Sequence, residues 1–72
     1  MEIAIVNAVE IMSFEAARAG KTDTHIYFNI DGQGPFEVVV PQEEATEDRI
    51  KAAVNEYAGR WKQITGMKWK VD

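Results

Sequence analysis

Few side chains in this sequence could serve as a nucleophile, a base or a metal ligand. There is no cysteine, and His25 and Ser13 are the only histidine and the only serine. The lack of cysteine excludes disulfides, thiolate metal sites and cysteine nucleophiles. A Ser–His–Asp arrangement would have to join these two residues to Asp23 or a distant carboxylate, and no nucleophile elbow surrounds Ser13. We therefore expect Ser13 to cap a turn, His25 to lie exposed at a strand start, and the chain not to be an enzyme.

Four carboxylates lie close together in the sequence, at Glu43, Glu44, Glu47 and Asp48. Such groups can perform acid–base chemistry when their environments separate their pKa values. They precede or begin a predicted helix, however, where the helix dipole favours negative charge. The alternating ligand spacing of a calcium loop is absent. We interpret them as a solvated helix terminus, and we expect neither a metal nor a cofactor.

The C-terminal part of the chain combines tryptophan with basic residues. Arg60-Trp61-Lys62 is followed by Lys68-Trp69-Lys70, and no acidic residue lies between residues 60 and 70. Basic residues beside indoles can bind nucleic acid through phosphates and base stacking. Trp61 lies on the apolar stripe of a predicted helix, whereas Trp69 either packs or stays exposed. An exposed Trp69 with a basic rim is typical of a protein-binding hot spot.

The clearest element is a helix from about Glu47 to Ile64. Thr46 is the predicted N-cap, and Gly66 is expected to end the helix in the left-handed conformation. Spacings of three and four residues place one apolar stripe on a single face of this helix, formed by Ile50, Ala53, Val54, Tyr57, Ala58, Trp61 and Ile64.

A β-hairpin precedes the helix, with strands from His25 to Ile30 and from Phe36 to Val40. Its turn, residues 31–35, is rich in glycine but has neither the lysine nor the following helix of a phosphate loop. Pairing Phe28 with Phe36 keeps the apolar residues on one face, which demands an odd loop over residues 31–33 and allows Gly34 a positive φ.

The first twenty residues and the last five have a less regular pattern. Ile3, Ile5, Val9 and Ile11 alternate, which predicts a long strand interrupted by Asn7, followed by a short helical turn over residues 13–20. One continuous helix over residues 7–19 is the alternative. Residues 67–71 alternate too, which indicates a short edge strand whose lysines either blunt that edge or take part in binding.

These elements predict an α+β fold, with a three- to four-stranded antiparallel sheet and one long C-terminal helix packed on one face. The helix stripe and the Phe28 and Phe36 side of the hairpin should bury each other. Tyr27 and Val39 should point to the opposite, mildly apolar face. Either the N-terminal segment or residues 67–71 could form an exposed sheet edge, open to strand addition or dimer pairing.

The composition is that of a single small globular domain. The chain has 72 residues, of which 46% are hydrophobic and 28% charged, with a formal net charge of −4. The negative charge disfavours nonspecific nucleic-acid binding. No apolar segment approaches the roughly 20 residues of a membrane span, and no basic region precedes residues 3–6 as in a signal peptide. We expect a cytoplasmic protein that does not act at a membrane.

Three short segments resemble small accessory proteins of tailed bacteriophages and prophages. They are Val6-Asn7-Ala8, the hairpin leading into Pro35-Phe36-Glu37-Val38, and Pro41-Gln42-Glu43 before a helix. The resemblance implies binding roles in virion assembly or in modulating host and defence proteins, in the bacterial host cytoplasm. It implies no catalytic residues.

We therefore predict a non-enzymatic protein-binding accessory protein that acts through a sheet edge or an aromatic-basic patch. We expect a protein partner, a homodimer being one form of that contact, and nucleic-acid binding through the C-terminal Arg/Lys/Trp cluster is the alternative. The candidate protein-binding residues are Trp69, Lys68, Lys70, Arg60, Tyr27 and Val39.

Overall fold

The computed structural model describes residues 1–71 and has two layers, a sheet and a helix. The three strands are antiparallel, with β1 and β3 at the two edges and β2 between them. The predicted α+β class is confirmed, with three strands. The elements in chain order are β1 (Ile3–Met12), a 3-10 turn (Ala16–Arg18), β2 (Thr22–Ile30), β3 (Gln33–Pro41), a second 3-10 turn (Gln42–Glu44) and α1 (Glu47–Thr65).

The first twenty residues form a strand and a short turn, so the alternative of one continuous helix is wrong. The strand is irregular, because its register against β2 shifts between Ile5 and Asn7. This bulge adds one residue and exchanges the two faces of the strand. Ile5 pairs with Phe28 on the side that faces the helix, whereas Val9 pairs with His25 on the opposite side. We call these the helix-side face and the far face.

The predicted hairpin register is confirmed, since Phe28 pairs with Phe36 and Ile26 with Val38. The loop differs from the expected three residues: Asp31 and Gly32 form a two-residue turn with φ of 50° and 79°. A bulge between Phe28 and Ile30 then adds the missing residue. Gly34 lies in this bulge with a φ of 133°, the positive value that was predicted.

The helix begins as predicted and packs as predicted. The Thr46 side chain accepts a hydrogen bond from the Arg49 amide, and Glu47 and Asp48 occupy the first turn. Gly66 has a φ of −88°, so the expected left-handed ending is wrong. Ile64 was placed on the buried stripe but is 66% exposed, because it lies beyond the last aromatic contact of α1 with the sheet, that of Trp61.

The core is a small cluster between β2, β3 and α1. Phe28 contacts Tyr57 with 5.4 Å between ring centroids, and Phe36 contacts Tyr57 at 5.5 Å and Trp61 at 5.6 Å. The phenylalanines therefore face the helix, as predicted. The buried apolar residues come mainly from β2 and α1 and are Ile26, Phe28, Ile30, Val40, Val54 and Ala58.

Residues 67–71, called the C-terminal tail below, form neither a strand nor a helix. The predicted edge strand over these residues is therefore not formed. Trp69 is 73% exposed, so of the two interpretations of this residue the packed one is wrong.

Candidate functional site

The outer edge of β1 is the most open part of the sheet. Ile3–Met12 contains no proline and a single charged residue, Glu10. Ile5 is 54% exposed and Met12 is 66% exposed, both on the helix-side face. Strand edges of this kind usually carry prolines or inward-facing charges that discourage pairing with other chains. This edge therefore has the composition of one that another strand can join.

The backbone of β1 has free hydrogen-bonding groups near the start of the strand. The Asp31 amide donates to the Glu2 carbonyl at 2.8 Å. In an antiparallel ladder the groups alternate between the two sides, so the N–H and C=O of Ile3 and Ile5 point away from β2. The Ala8 amide, beyond the bulge, is bonded to the Asn7 side chain at 2.9 Å. Ile3 and Ile5 thus offer a short segment of free hydrogen-bonding groups.

An apolar groove of about 670 Å³ lies between β1 and the helix. Ile3 and Ile5 form one wall, and Ile50 and Val54 form the other. The rim is polar and is formed by Glu47, Lys51 and Asn55. The groove exists because α1 packs over β2 and β3 and leaves the helix-side face of β1 uncovered. Free backbone groups beside an apolar groove are what a β-strand ligand requires.

The negative charge of this region is uneven. Residues 1–17 include three glutamates and no lysine or arginine. At the start of β1, the Asp31 carboxylate accepts a hydrogen bond from the Glu2 amide at 2.7 Å, which brings two acidic residues to one corner. A basic ligand segment would be favoured here over an acidic one.

The structure does not bring the six predicted binding residues together. Trp69, Lys68 and Lys70 lie on the exposed tail. Arg60 lies on the exposed side of α1, where its guanidinium is 3.7 Å from the Glu56 carboxylate. Tyr27 and Val39 lie on the far face of the sheet. The predicted set is therefore three separate surfaces, and their binding role stays a prediction.

The far face carries a small hydrogen-bonded group around Glu37. His25 Nδ1 is 3.0 Å from a Glu37 carboxylate oxygen. This contact, with a second hydrogen bond from Tyr27, lowers the pKa of Glu37, and the same carboxylate raises the pKa of Tyr27. His25 lies inside β2 with a side chain only 15% exposed, so the expected exposed strand start is wrong. Its observed partner is a carboxylate, and the Ser13 hydroxyl instead accepts a hydrogen bond from the Glu15 amide.

A second cluster lies at one end of the sheet, where β1 ends, β2 begins and β3 ends. Arg18 donates to Asp23 at 2.9 Å and to Glu43 at 2.8 Å. Because of the hydrogen bond from Arg18, the pKa of Glu43 falls to about 2, and the pKa of Arg18 rises further above its already high value. Glu43 was predicted to be a solvated acid near the helix start, and pairing with a residue 25 positions earlier could not be read from local sequence. The cluster is structural in character, since each acid is matched by the guanidinium.

Within residues 1–71, no three histidine, aspartate or glutamate side chains form a group that could hold a metal ion. In the same range, no helix is both long and apolar enough to span a lipid bilayer.

Sequence reasoning missed the groove and left open whether the N-terminal segment or residues 67–71 form the open edge. The apolar alternation in residues 3–11 indicated the strand, but only the pairing order makes it an edge and leaves its helix-side face open. Comparison of the chain with models of protein families, with curated proteins and with solved structures gives no match.

Proposed function

We propose that this chain is a non-enzymatic protein-binding module whose β1 edge takes up an extended segment of a partner. The observation that carries the proposal is the coincidence of free backbone groups at Ile3 and Ile5 with the apolar groove beside them. Main-chain hydrogen bonds would supply affinity, and the groove would select side chains of the added strand.

The chemistry of the edge defines the segment that fits it. Successive side chains of a strand point to opposite faces. Apolar residues at alternate positions would enter the groove against Ile50 and Val54, while the residues between them would face the acidic corner at Glu2 and Asp31. The preferred partner segment therefore alternates apolar and basic residues. The accessory role implied by the resemblance to phage proteins would be exercised through this contact.

A peptide-binding experiment with an edge-blocked variant tests the proposal. Proline at position 5 removes an N–H that points away from β2, so the internal ladder of the sheet is kept. Ile5→Val is the matched control, because it keeps the N–H and most of the apolar side chain. The probe is a labelled peptide that alternates valine with lysine, followed by fluorescence anisotropy.

Wild type and Ile5→Val should bind this peptide, and Ile5→Pro should bind it at least about tenfold more weakly. A peptide that alternates valine with glutamate should bind more weakly than the lysine peptide to all three proteins. Equal binding of the lysine peptide to Ile5→Pro and Ile5→Val would show that the β1 edge is not the site.

Nucleic-acid binding is the second candidate, and one observation favours it. Trp69 is 73% exposed and stands between Lys68 and Lys70, so its indole is accessible for stacking on a base. This function predicts that single-stranded DNA binds at low salt, that affinity falls steeply as salt is added, and that Trp69→Ala weakens it. If a labelled oligonucleotide does not bind at low salt, nucleic-acid binding is excluded.

A further inference from the structure

The C-terminal tail has the alternation that the β1 edge requires. Met67, Trp69 and Val71 are 59%, 73% and 85% exposed, and Lys68 and Lys70 lie between them. In an extended conformation the three apolar side chains would share one face and the two lysines the other. Such a segment is apolar on one side and basic on the other, and in the isolated chain neither side is covered.

The tail cannot reach the β1 edge of its own chain and pair along it. The helix leaves the sheet on the β3 side, where Trp61 packs on Phe36. A strand beside β1 lies three strand spacings from β3, which is about 14 Å. Five extended residues span about 16 Å, so nearly the whole tail would be used to cross the sheet. A second copy has no such constraint.

We infer that two copies of this chain associate by exchanging their tails, each tail adding as a fourth strand to the β1 edge of the other copy. The inference rests on the proposed function and names its partner. An antiparallel register that sets Trp69 opposite Ile3 also sets Met67 opposite Ile5. Both side chains then lie on the helix-side face, where the indole enters the groove against Ile50 and Val54.

The same register determines which charged residues lie opposite each other. Lys70 falls opposite Glu2 on the far face, beside the Asp31 carboxylate that accepts the Glu2 amide. Pairing β1 with β1 of another copy would give Glu2 no basic partner, since residues 1–17 contain no lysine or arginine. Charge complementarity therefore selects the tail as the occupant of this edge.

The single chain is more extended than a compact domain of its length, as expected of one half of a dimer with exchanged tails. Its radius of gyration is 14.7 Å, whereas a compact domain of this length would have about 11 Å. The longest dimension is 50 Å against 29 and 18 Å for the others. Reciprocal exchange forms two equivalent contacts around a twofold axis, which closes the assembly at a dimer.

Light scattering and sedimentation of the full chain test the inference first. One chain has a mass of 8.1 kDa, and the wild-type protein should move towards twice that mass with a dissociation constant on the order of micromolar. Deletion of the residues after Gly66 should leave a folded monomer at every concentration. Trp69→Ala should weaken association at least about thirtyfold, because a hot-spot side chain is lost at each contact.

A charge exchange identifies the two surfaces that meet. Lys70→Glu and Glu2→Lys should each weaken self-association about tenfold, since both contacts become repulsive. Mixing the two variants should restore association to within about threefold of wild type, because each tail then meets an edge of opposite charge. A generic loss of folding in either variant would not produce recovery on mixing.

The fluorescence of Trp69 gives an independent readout in a Trp61→Phe background. Its emission should shift to shorter wavelength as concentration rises and the indole enters the groove. A monomeric wild type at all concentrations, open-ended assembly, or no recovery on mixing would overturn the tail exchange. If the lysine-containing peptide still bound the edge in that case, the proposed function would stand; if it did not, both would fail.

Discussion

The two edges of this three-stranded sheet are protected in different ways. β3 carries Pro35 and Pro41, which remove backbone donors, and Phe36 packs under Tyr57 and Trp61. β1 has no proline between Ile3 and Met12 and no comparable cover. The β3 edge is therefore protected by its own chain, whereas the β1 edge can still pair with an added strand.

One row of the sheet shows that the difference does not come from the strands themselves. Ile5 and Phe36 both pair with Phe28, one on each side. Phe36 is half-buried, and Ile5 is 54% exposed. Both are large apolar residues on the helix-side face, so the position of α1 decides which is buried. A helix laid towards one edge leaves the other edge apolar and open.

Truncation of the two residues in this row should have the largest and most unequal effects. Phe36→Ala removes contacts with three aromatic rings and should lower the free energy of unfolding by about 3 kcal/mol. Ile5→Ala, at a site already more than half exposed, should lower it by at most about 1 kcal/mol. Urea unfolding at low protein concentration, where self-association does not contribute, measures both. Equal losses would mean that the helix covers β1 as well.

Replacement of the bulge glycine in β3 should have the next largest effect. A Cβ at Gly34 would lie 2.7 Å from Asn29 Oδ1 and 3.0 Å from the Phe28 carbonyl, at a φ of +133°. Gly34→Ala should therefore lower the free energy of unfolding by about 2–3 kcal/mol. The matched control is Gly32→Ala in the adjacent turn, where nothing lies within 4 Å and φ is +79°.

Only the conformational strain remains in this control, so Gly32→Ala should lower the free energy of unfolding by about 1 kcal/mol. Thermal and urea unfolding measure the stability of the two variants. A Gly34→Ala protein as stable as Gly32→Ala would contradict the tight bulge that shapes this edge.

The ion pair that joins the ends of the two edges should give a smaller, pH-dependent effect. Arg18 follows β1 and Glu43 follows β3, and the pKa of Glu43 is lowered from 4.5 to about 2. A carboxyl with a lowered folded-state pKa stabilises the fold fully above its unfolded pKa, and this contribution is lost as the pH falls towards the folded value. Stability should therefore decline between these two pH values.

Glu43→Gln should flatten this decline when unfolding is followed by circular dichroism from about pH 6 to about pH 2. Glu44→Gln serves as the control, because Glu44 pairs with the well-exposed Arg49 instead. The interpretation would be wrong if both variants reduced the decline in stability at acid pH by the same amount.

Removal of the Asn7 side chain, which bonds a backbone amide at the β1 edge, should have the smallest effect on stability. Asn7 Oδ1 accepts the Ala8 amide at 2.9 Å. Asn7→Ala should change the free energy of unfolding by no more than about 0.5 kcal/mol. Hydrogen exchange at the Ala8 amide should nevertheless become several-fold faster, while exchange at Phe28, in the central strand, should not change. Unchanged exchange at Ala8 would argue that this edge is already covered by another group.

Local patterns in the sequence predicted much of the fold. The spacing from Ile50 to Trp61 predicted the helix and its buried stripe, and Thr46 was correctly identified as its N-cap. The requirement that Phe28 meet Phe36 predicted the hairpin register. The loop was wrong because a three-residue loop and a two-residue turn with a bulge give the same pairing. Side-chain alternation cannot distinguish them.

The bulge in β1 had only a weak signal. Ile5 and Val9 are four residues apart, so simple alternation puts them on one face, yet the inserted residue puts them on opposite faces. Asn7 interrupts the apolar run at that point. This indicated an irregular strand, but it did not indicate that the two faces of the strand are exchanged there. The sequence likewise left open whether Trp69 is packed or exposed. Its alternating segment forms a strand only where it can reach an open sheet edge, and the sequence does not show whether it can.

The amino-acid sequence by itself determined the hairpin and the helix, their order along the chain and the faces that these two elements bury, because periodicity and capping act over a few residues. Which strands became edges, where α1 crosses the sheet and how Arg18 meets Glu43 were decided only by tertiary structure. These features depend on contacts between separate elements, such as Arg18 with Glu43 and Phe28 with Tyr57, whose geometry is set by chain packing and strand order rather than by any local pattern.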